Sequence, residues 1–368
     1  MRYLFKPFIP LTLLLLVSLS LFILEERKTF DIRTLVHIDP FPHTKQLIDE
    51  KRYVEAHEYL SYFMAYTYVN KNPESKKLFE AIELQRENYL YKAEKFLEGI
   101  TKGSSDEDIG KASAIASDFL VIGDLRDLSI EGKHYINDEK VDNVIVALSS
   151  LGLIATATTA YSLGTTAPIK TSISVLKYGK RVNKIPSWLN QQLLTQAKIS
   201  KETNSLENLK TMLQPIYKLY EKVGLNQTLE LLKKSKNFKE LKSLTTFSSR
   251  FGKKSHILLQ TTNYKALDHI KSMPHIQNKN LLYASTYGER GLIGLKKMGE
   301  NRFMKRVGFA ANLTKTTYKG NLNSLFNYLL RKIPNSILYG IIFLGLFYFI
   351  SKIFTVARKR LWLPLLSK

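Results

Sequence analysis

Cysteine is absent from the 368 residues of this chain. Disulfide bonds, thiol catalysis, cysteine-ligated zinc and iron–sulfur clusters are therefore excluded. Acidic residues are scarce as well, with 32 aspartates and glutamates against 55 lysines and arginines, which gives a formal net charge of +23. A strongly basic chain is expected to meet anionic partners, such as lipid headgroups, acidic proteins or nucleic acid.

Signatures of known catalytic sites are also missing. The sequence has no Gly-x-Ser-x-Gly elbow and no His-Glu-x-x-His zinc motif, and the glycines at Gly288 and Gly291 lack the Gly-Lys-Ser/Thr of a phosphate-binding loop. Seven histidines are scattered along the chain, at His37, His43, His57, His134, His256, His269 and His275. We therefore predict no metal, no cofactor and no small-molecule substrate, and a cell-envelope enzyme is only a third hypothesis.

The charge is divided unevenly along the chain. Between Glu25 and Asp142 there are 17 basic and 24 acidic residues, whereas between Asn143 and Pro334 there are 31 basic and 8 acidic residues. Such asymmetry indicates an interaction surface or a membrane-facing region. The acidic half is itself a candidate partner for the basic half.

An uncharged apolar run near the N-terminus extends from Phe8 to Leu24. Its 17 residues are close to the lower limit for a helix that crosses a bilayer. Arg2 and Lys6 precede it, as in a signal sequence, but no small-x-small cleavage site follows it. We predict an uncleaved signal anchor, with a cleaved signal peptide as the alternative.

A second apolar run extends from Ile337 to Phe354. Three basic residues, Arg358, Lys359 and Arg360, follow it almost directly. Basic residues beside a span are enriched on the cytoplasmic side, so this cluster is predicted to set the membrane orientation. With two spans, both chain ends would lie in the cytoplasm and the intervening region outside it.

The predicted fold class is all-α, with a helical extracytoplasmic domain between two terminal transmembrane helices. The predicted segments are a cytoplasmic N-terminus (1–7), a signal anchor (8–24), an acidic helical region (25–142), an apolar hairpin with a basic amphipathic helix (143–182), a basic helical region (183–334), a transmembrane helix (335–356) and a basic cytoplasmic tail (357–368).

Apolar residues between the two runs recur at helical spacing. Leucine-rich amphipathic patterns cover Asn190–Lys201, Leu206–Val223, Leu225–Lys236 and Phe238–Phe251. The asparagines and proline of Asn70–Pro73 predict a break between two earlier helices. Gly291 and Gly294, together with Ala284, predict a close approach of two helices.

Acidic residues are frequent between positions 118 and 142. They are Asp118, Asp124, Asp127, Glu131, Asp138, Glu139 and Asp142. Asp124 and Asp127 would share one face of a helix, as a divalent-cation site or a carboxylate pair requires. Because the segment lacks the glycine and terminal glutamate of a calcium-binding loop, a solvent-exposed acidic face is the favoured interpretation.

The segment from Val144 to Leu163 is uncharged over 20 residues, which is long enough for a span. Eight of these residues are Val, Ile or Leu and seven are Ser, Thr or Gly, so the free energy of membrane insertion is near zero. A turn and a basic amphipathic helix ending near Arg181 follow. Three interpretations stay open: a core hairpin, a membrane-associated or re-entrant hairpin, and a third span. We retain two spans, because a third would move Arg358 and its neighbours outside the cytoplasm.

The leading hypothesis is a membrane-anchored helical interaction or scaffold protein of a bacterial inner membrane. Its expected partners are the lipid bilayer and either anionic lipid or another envelope protein. Nucleic acid is not an expected partner if the basic region lies outside the cytoplasm. The alternative is membrane remodelling or pore formation by the hairpin at 144–181.

Overall fold

The computed structural model describes residues 8–88, 91–92, 95, 121–162, 167–203, 205–307 and 322–362. All regular secondary structure in these ranges is helical, which confirms the all-α prediction. The chain forms two compact units. We call Ile38–Ser272 the central unit, and Met1–His37 with Met273–Lys368 the terminal unit.

The central unit contains twelve of the described α-helices. They are α2 (Phe41–Asp49), α3 (Tyr53–Met64), α4 (Thr67–Asn70), α5 (Pro73–Glu87), α6 (Val121–Ile136), α7 (Asn143–Ser162), α8 (Ala167–Arg181), α9 (Ser187–Thr203), α10 (Glu207–Lys234), α11 (Phe238–Phe251), α12 (Ser255–Thr261) and α13 (Ala266–Lys271). A short 3-10 turn, Gly252–Lys254, joins α11 to α12.

Two helix breaks that the sequence predicts are present in the structure. The Asn72 side chain accepts a hydrogen bond from the Glu74 backbone N–H at 2.9 Å, so it caps α5, which begins at Pro73. Gly224 interrupts α10 with φ 78°, a backbone conformation that favours glycine. The two predicted segments on either side of Gly224 are therefore separate helical stretches, as their leucine patterns indicated.

The core of the central unit lies where α7 packs against α6, α8 and α9, and where α8 and α11 pack against α10. Leucines supply most of the fully buried side chains, including Leu148, Leu151, Leu176, Leu189 and Leu193. Burying a leucine removes its apolar surface from water and stabilises the fold by about 1.5–3 kcal/mol. The leucine-rich amphipathic patterns thus correspond to buried helix faces.

The terminal unit brings the two chain ends together. Its helices are α1 (Phe8–Thr29), α14 (Asn278–Ser285), α15 (Gly288–Met298), α16 (Glu300–Val307), α17 (Leu322–Lys332) and α18 (Asn335–Trp362). The predicted close approach at the glycines is confirmed, because a Cβ atom at Gly291 would overlap the carbonyl of Ala284. Gly294 is also confined, because a Cβ there would lie 2.8 Å from the Phe30 ring and 3.0 Å from the Phe303 ring.

The segment after α1 is fixed by an aromatic cluster in the same unit. The His37 ring stacks on Tyr287 with a centroid separation of 3.9 Å, and its Nδ1 lies 3.0 Å from the Thr286 hydroxyl. Burial, with a smaller contribution from the positive charge of Arg331, lowers the pKa of His37 to about 4. His37 is therefore neutral at physiological pH and acts as a packing residue.

Candidate membrane anchor

Two helices in the described residues are long and apolar enough to cross a membrane, Ile9–Thr29 in α1 and Asn335–Arg358 in α18. At about 1.5 Å per residue, each exceeds the ~30 Å hydrocarbon thickness of a typical bilayer. Both expose large apolar side chains, such as Leu11, Leu15, Phe343 and Phe347. Contiguous apolar surface of this kind marks a membrane or protein contact.

The two helices pack against each other in an antiparallel hairpin. Near the end of α1, Ile23 and Leu24 are buried against Leu338 at the start of α18. One to two turns away from this contact, towards the N-terminus of α1 and the C-terminus of α18, Gly345 lies against Val17. A Cβ at Gly345 would lie 3.7 Å from the Val17 Cβ. Small residues at such points allow transmembrane helices to approach closely.

Arg27 joins the hairpin to α17. Its side chain is only 6% exposed, although it occupies the last two turns of an apolar helix. The guanidinium donates hydrogen bonds to the carbonyl oxygens of Leu330 and Ile333, both at 2.7 Å, and to that of Leu329 at 3.3 Å. The Leu329 carbonyl also accepts from the Ile333 backbone N–H at 3.3 Å, so the bonds from Arg27 to Leu330 and Ile333 are the ones that complete the end of α17.

A further bond from Arg27 reaches the first residue of α18. Its Nη1 donates to the Asn335 Oδ1 at 2.6 Å. One planar guanidinium thus connects the end of α1, the end of α17 and the beginning of α18, a fork geometry that lysine cannot reproduce. Nothing in the sequence analysis indicated this role, and the only available signal was an arginine inside the C-terminal turns of an apolar helix.

The basic residues predicted to set the orientation lie at the far end of the hairpin. Arg358 is exposed on α18, and Lys359 and Arg360 continue the same helix. Because α1 and α18 are antiparallel, this basic end is opposite the end that Arg27 closes. The role of these residues in setting the membrane orientation stays a prediction.

The sequence predicted a solvent-exposed acidic face between positions 118 and 142. That prediction is wrong for three of its residues. Asp124, Asp127 and Glu131 are buried. Asp138 and Glu139 are exposed, as expected, and Asp118 lies outside the described residues. Asp124 and Asp127 instead face basic side chains of α8, whereas Glu131 accepts a hydrogen bond from the Asp142 backbone N–H at 2.7 Å.

The partner of the two aspartates is a lysine without solvent exposure. The Lys177 Nζ lies 2.9 Å from Asp124 Oδ1 and 2.6 Å from Asp127 Oδ2, and Arg181 Nη2 lies 2.7 Å from Asp127 Oδ2. Burial alone would raise the pKa of Asp127, but the hydrogen bond from Lys177 and the charges of Arg181 and Lys177 hold it below its usual value. The acidic half and the basic half of the sequence are thus partners inside one core.

A glycine on α7 makes room for this ion cluster. A Cβ at Gly152 would lie 2.6 Å from Asp124 Oδ1 and 2.7 Å from its carboxyl carbon. Ser149, one turn earlier on α7, is also buried, and its hydroxyl lies 3.5 Å from Asp127 Oδ2. The small residues that weaken the membrane propensity of Val144–Leu163 therefore have a packing role.

The described part of α7 lies in the core of the central unit. Val144, Ile145, Leu148, Leu151 and Ala155 are buried. Of the three interpretations of this segment, the buried core hairpin agrees with this packing.

The histidines and carboxylates form no metal site in the ranges that the structure describes, because no three of them lie close enough to hold an ion. His256 is half-buried in the central unit, and desolvation lowers its pKa against the raising effects of Glu230 and Glu55. Glu230 forms an ion pair with Lys184 at 2.7 Å, so these two residues have a structural role.

Comparison of the chain with protein-family models, with curated proteins and with solved structures finds no match in any of the three. The central observation is an apolar hairpin of two terminal helices, closed at one end by a buried arginine.

Proposed function

We propose that this chain is a membrane-anchored helical interaction or scaffold protein. The α1–α18 hairpin is its anchor in the lipid bilayer, and the central unit is the part that it presents to partners. The observation that carries the proposal is the combination of an apolar outer surface on both helices with the buried cap at Arg27. Within a bilayer, an exposed helix end would leave carbonyls unpaired, and Arg27 supplies the missing donors.

The proposed orientation places both chain ends in the cytoplasm of a bacterial cell and the central unit outside it. Support comes from Arg358, Lys359 and Arg360, which follow the second span. The membrane-remodelling alternative is less well supported, because Lys177 and much of the described hairpin are buried in the central unit. Such an activity would require this hairpin to leave its core.

The first test uses the absence of native cysteine. We expect Val17→Cys combined with Gly345→Cys to form an intramolecular disulfide in membranes, because their Cβ atoms would lie 3.7 Å apart, within the ~3.5–4.5 Å range of disulfides. The measurement is a mobility shift under non-reducing electrophoresis.

A matched control is Val17→Cys with Gly340→Cys, since a Cβ at Gly340 would have no neighbour within 4 Å. This second pair should remain reduced. Equal cross-linking of both pairs, or none in either, would contradict the antiparallel hairpin.

The second test addresses orientation. Single cysteines at Leu84 and Tyr135, both exposed in the central unit, should react with a membrane-impermeant maleimide in intact spheroplasts. A cysteine at Lys368 should react only after the membrane is permeabilised. The opposite labelling pattern would place the central unit in the cytoplasm and overturn the proposed orientation, while leaving the hairpin itself untouched.

A further inference from the structure

In the terminal unit, α17 lies along the closed end of the hairpin. Its Phe326 packs against the buried apolar cluster at Leu24 and Leu338. The Phe326 and Phe22 rings are also in contact, with a centroid separation of 5.4 Å. Phe22 is in the last turn of the uncharged run that ends at Leu24. With α1 in a bilayer, α17 therefore contacts it at the level where a spanning helix leaves the hydrocarbon.

Another face of α17 exposes apolar side chains. Leu325 is 57% exposed and Tyr328 is 48% exposed. They are three residues apart, so they share one face of the helix. Lys332, four residues after Tyr328, is on the same face and is exposed. An apolar face with a basic residue at its end is typical of helices that lie in the surface plane of a bilayer.

The exposed surface of α17 continues into the lipid-facing surface of the hairpin. Phe22, which contacts α17, is exposed, and so are Ile337 and Tyr339 at the start of α18. Only two residues separate the end of α17 from the start of α18. Tyr328 and Tyr339 are thus close to the same boundary, and tyrosine is enriched where hydrocarbon meets the headgroups. This continuity favours lipid over a protein as the partner of α17.

The charge at this boundary has one sign. After Glu300 the sequence contains 12 lysines and arginines and no acidic residue. Two of these cations, Arg331 and Lys332, end α17. Because Arg27 already donates to the carbonyls of Leu330 and Ile333, the end of α17 does not need them as caps. Adjacent cations beside an apolar face are complementary to the phosphates of anionic lipids.

We propose that α17 is an interfacial helix that binds the surface of a bilayer containing anionic phospholipid. Leu325 and Tyr328 insert between lipids beside the hairpin, and Arg331 and Lys332 pair with lipid phosphates. Burial of apolar side chains and attraction to anionic headgroups both contribute to such binding. The inference rests on the hairpin anchor proposed above, and it holds for either orientation of the central unit.

The first test measures the depth of α17 in vesicles of phosphatidylcholine and phosphatidylglycerol. Nitroxide labels are attached to the full chain at Leu325→Cys or Tyr328→Cys, which is possible because the chain has no native cysteine. We expect both labels to collide more often with oxygen, which dissolves in lipid, than with a water-soluble nickel chelate. Labels at Phe343→Cys on α18 and Lys239→Cys in the central unit, both exposed, are the references for hydrocarbon and water.

The two references separate this inference from the anchor itself. If the labels on α17 behave like the Lys239→Cys label while the Phe343→Cys label is in hydrocarbon, α17 does not bind the bilayer and the anchor stands. If the Phe343→Cys label is also in water, the anchor proposal fails and this inference fails with it.

The second test measures binding of phosphatidylglycerol to the full chain in detergent micelles by native mass spectrometry. Arg331→Gln with Lys332→Gln should weaken this binding about tenfold, and should weaken binding of the zwitterionic phosphatidylcholine less. The matched control is Lys76→Gln with Lys77→Gln, an adjacent pair of exposed lysines on α5, which should bind as the unaltered chain does. Unchanged binding in the α17 variant, or equal weakening in the control, would overturn the assignment of the phosphate contacts to α17.

Discussion

Replacing Lys177 with methionine should destabilise the central unit by about 3–5 kcal/mol, a large share of the roughly 5–15 kcal/mol that stabilises a typical domain. Methionine keeps much of the length of the buried stem, so the loss of packing is small. The ammonium group, however, lies 2.9 Å from Asp124 Oδ1 and 2.6 Å from Asp127 Oδ2. Removing it leaves buried carboxylate charge that the surrounding core cannot solvate.

The measurement is thermal unfolding of the full chain, followed by circular dichroism, with hydrogen exchange to locate the change in α7 and α8. Lys180→Met is the matched control, because Lys180 is partly exposed and pairs with Asp142 at 3.2 Å. It should cost no more than about 1 kcal/mol. Equal effects of the two substitutions would show that the buried cluster has no special energetic role.

A second substitution should rescue the first. Asp124→Asn in the Lys177→Met background removes one unpaired charge, while Asp127 keeps its ion pair with Arg181 at 2.7 Å. Replacement of buried ion pairs by uncharged groups is often close to neutral, so the double variant should regain much of the lost stability. If it is less stable than Lys177→Met alone, the destabilisation has another origin.

The pH dependence of stability follows from the sign of the Asp127 shift. Its pKa is lower in the folded chain than the ordinary value of 3.8, so the folded state binds this proton less tightly than the unfolded state. The stabilisation from Asp127 is then fully present above pH 3.8 and declines as the pH falls through the folded pKa. Thermal unfolding of the unaltered chain across the acid range should therefore show this loss only below about pH 3.8.

The ion cluster also shows where sequence reasoning was insufficient. The spacing of Asp124 and Asp127 correctly indicates one helix face. It does not reveal that Lys177 of α8 packs against that face, because Asp124 and Lys177 are 53 positions apart. The charge counts show that the two halves of the chain have net charges of opposite sign. They do not show which residues form ion pairs.

Local features were more accessible to prediction than contacts between helices. The two apolar runs became the two candidate spans, and Asn72 with Pro73 marked the start of α5. These features depend on a few consecutive residues and on the periodicity of one helix. The contacts of Gln227 with Lys253 and Glu58 could not be predicted, because these residues meet α10 only after folding.

The sequence of Val144–Leu163 does not decide between the bilayer and the protein core, and its tertiary contacts do. Its insertion free energy is near zero by composition, so the bilayer and the protein core compete for it. In the core, Leu148 and Leu151 become fully buried, and Gly152 gains contact with the Asp124 carboxylate. The close-packed interior therefore accommodates both the leucines and the small residues of this segment.

The second large effect is expected from Arg27→Met, which should weaken the closed end of the hairpin by about 3 kcal/mol or more, since hydrogen bonds from charged groups are worth about 1.5–3 kcal/mol each. The carbonyls of Leu330 and Ile333 would each lose a donor at 2.7 Å. Arg27 is buried, so water replaces the lost bonds poorly. Thermal unfolding in micelles and the yield of the Val17→Cys, Gly345→Cys disulfide should both fall.

Two further variants separate the fork geometry of Arg27 from its charge. Arg27→Lys keeps the positive charge but cannot reach several carbonyls and Asn335 at once, so its stability should be intermediate. Lys28→Met removes a charge from the adjacent position, where the side chain is 75% exposed and pairs with Glu25, and should have an effect below about 1 kcal/mol. If Arg27→Lys behaves like the unaltered chain, charge at the helix end is sufficient and the hydrogen-bonded cap is not required. If Lys28→Met is as damaging as Arg27→Met, the hairpin responds to net basic charge at its closed end, and the antiparallel pair is held by packing at Leu338 and Gly345 alone.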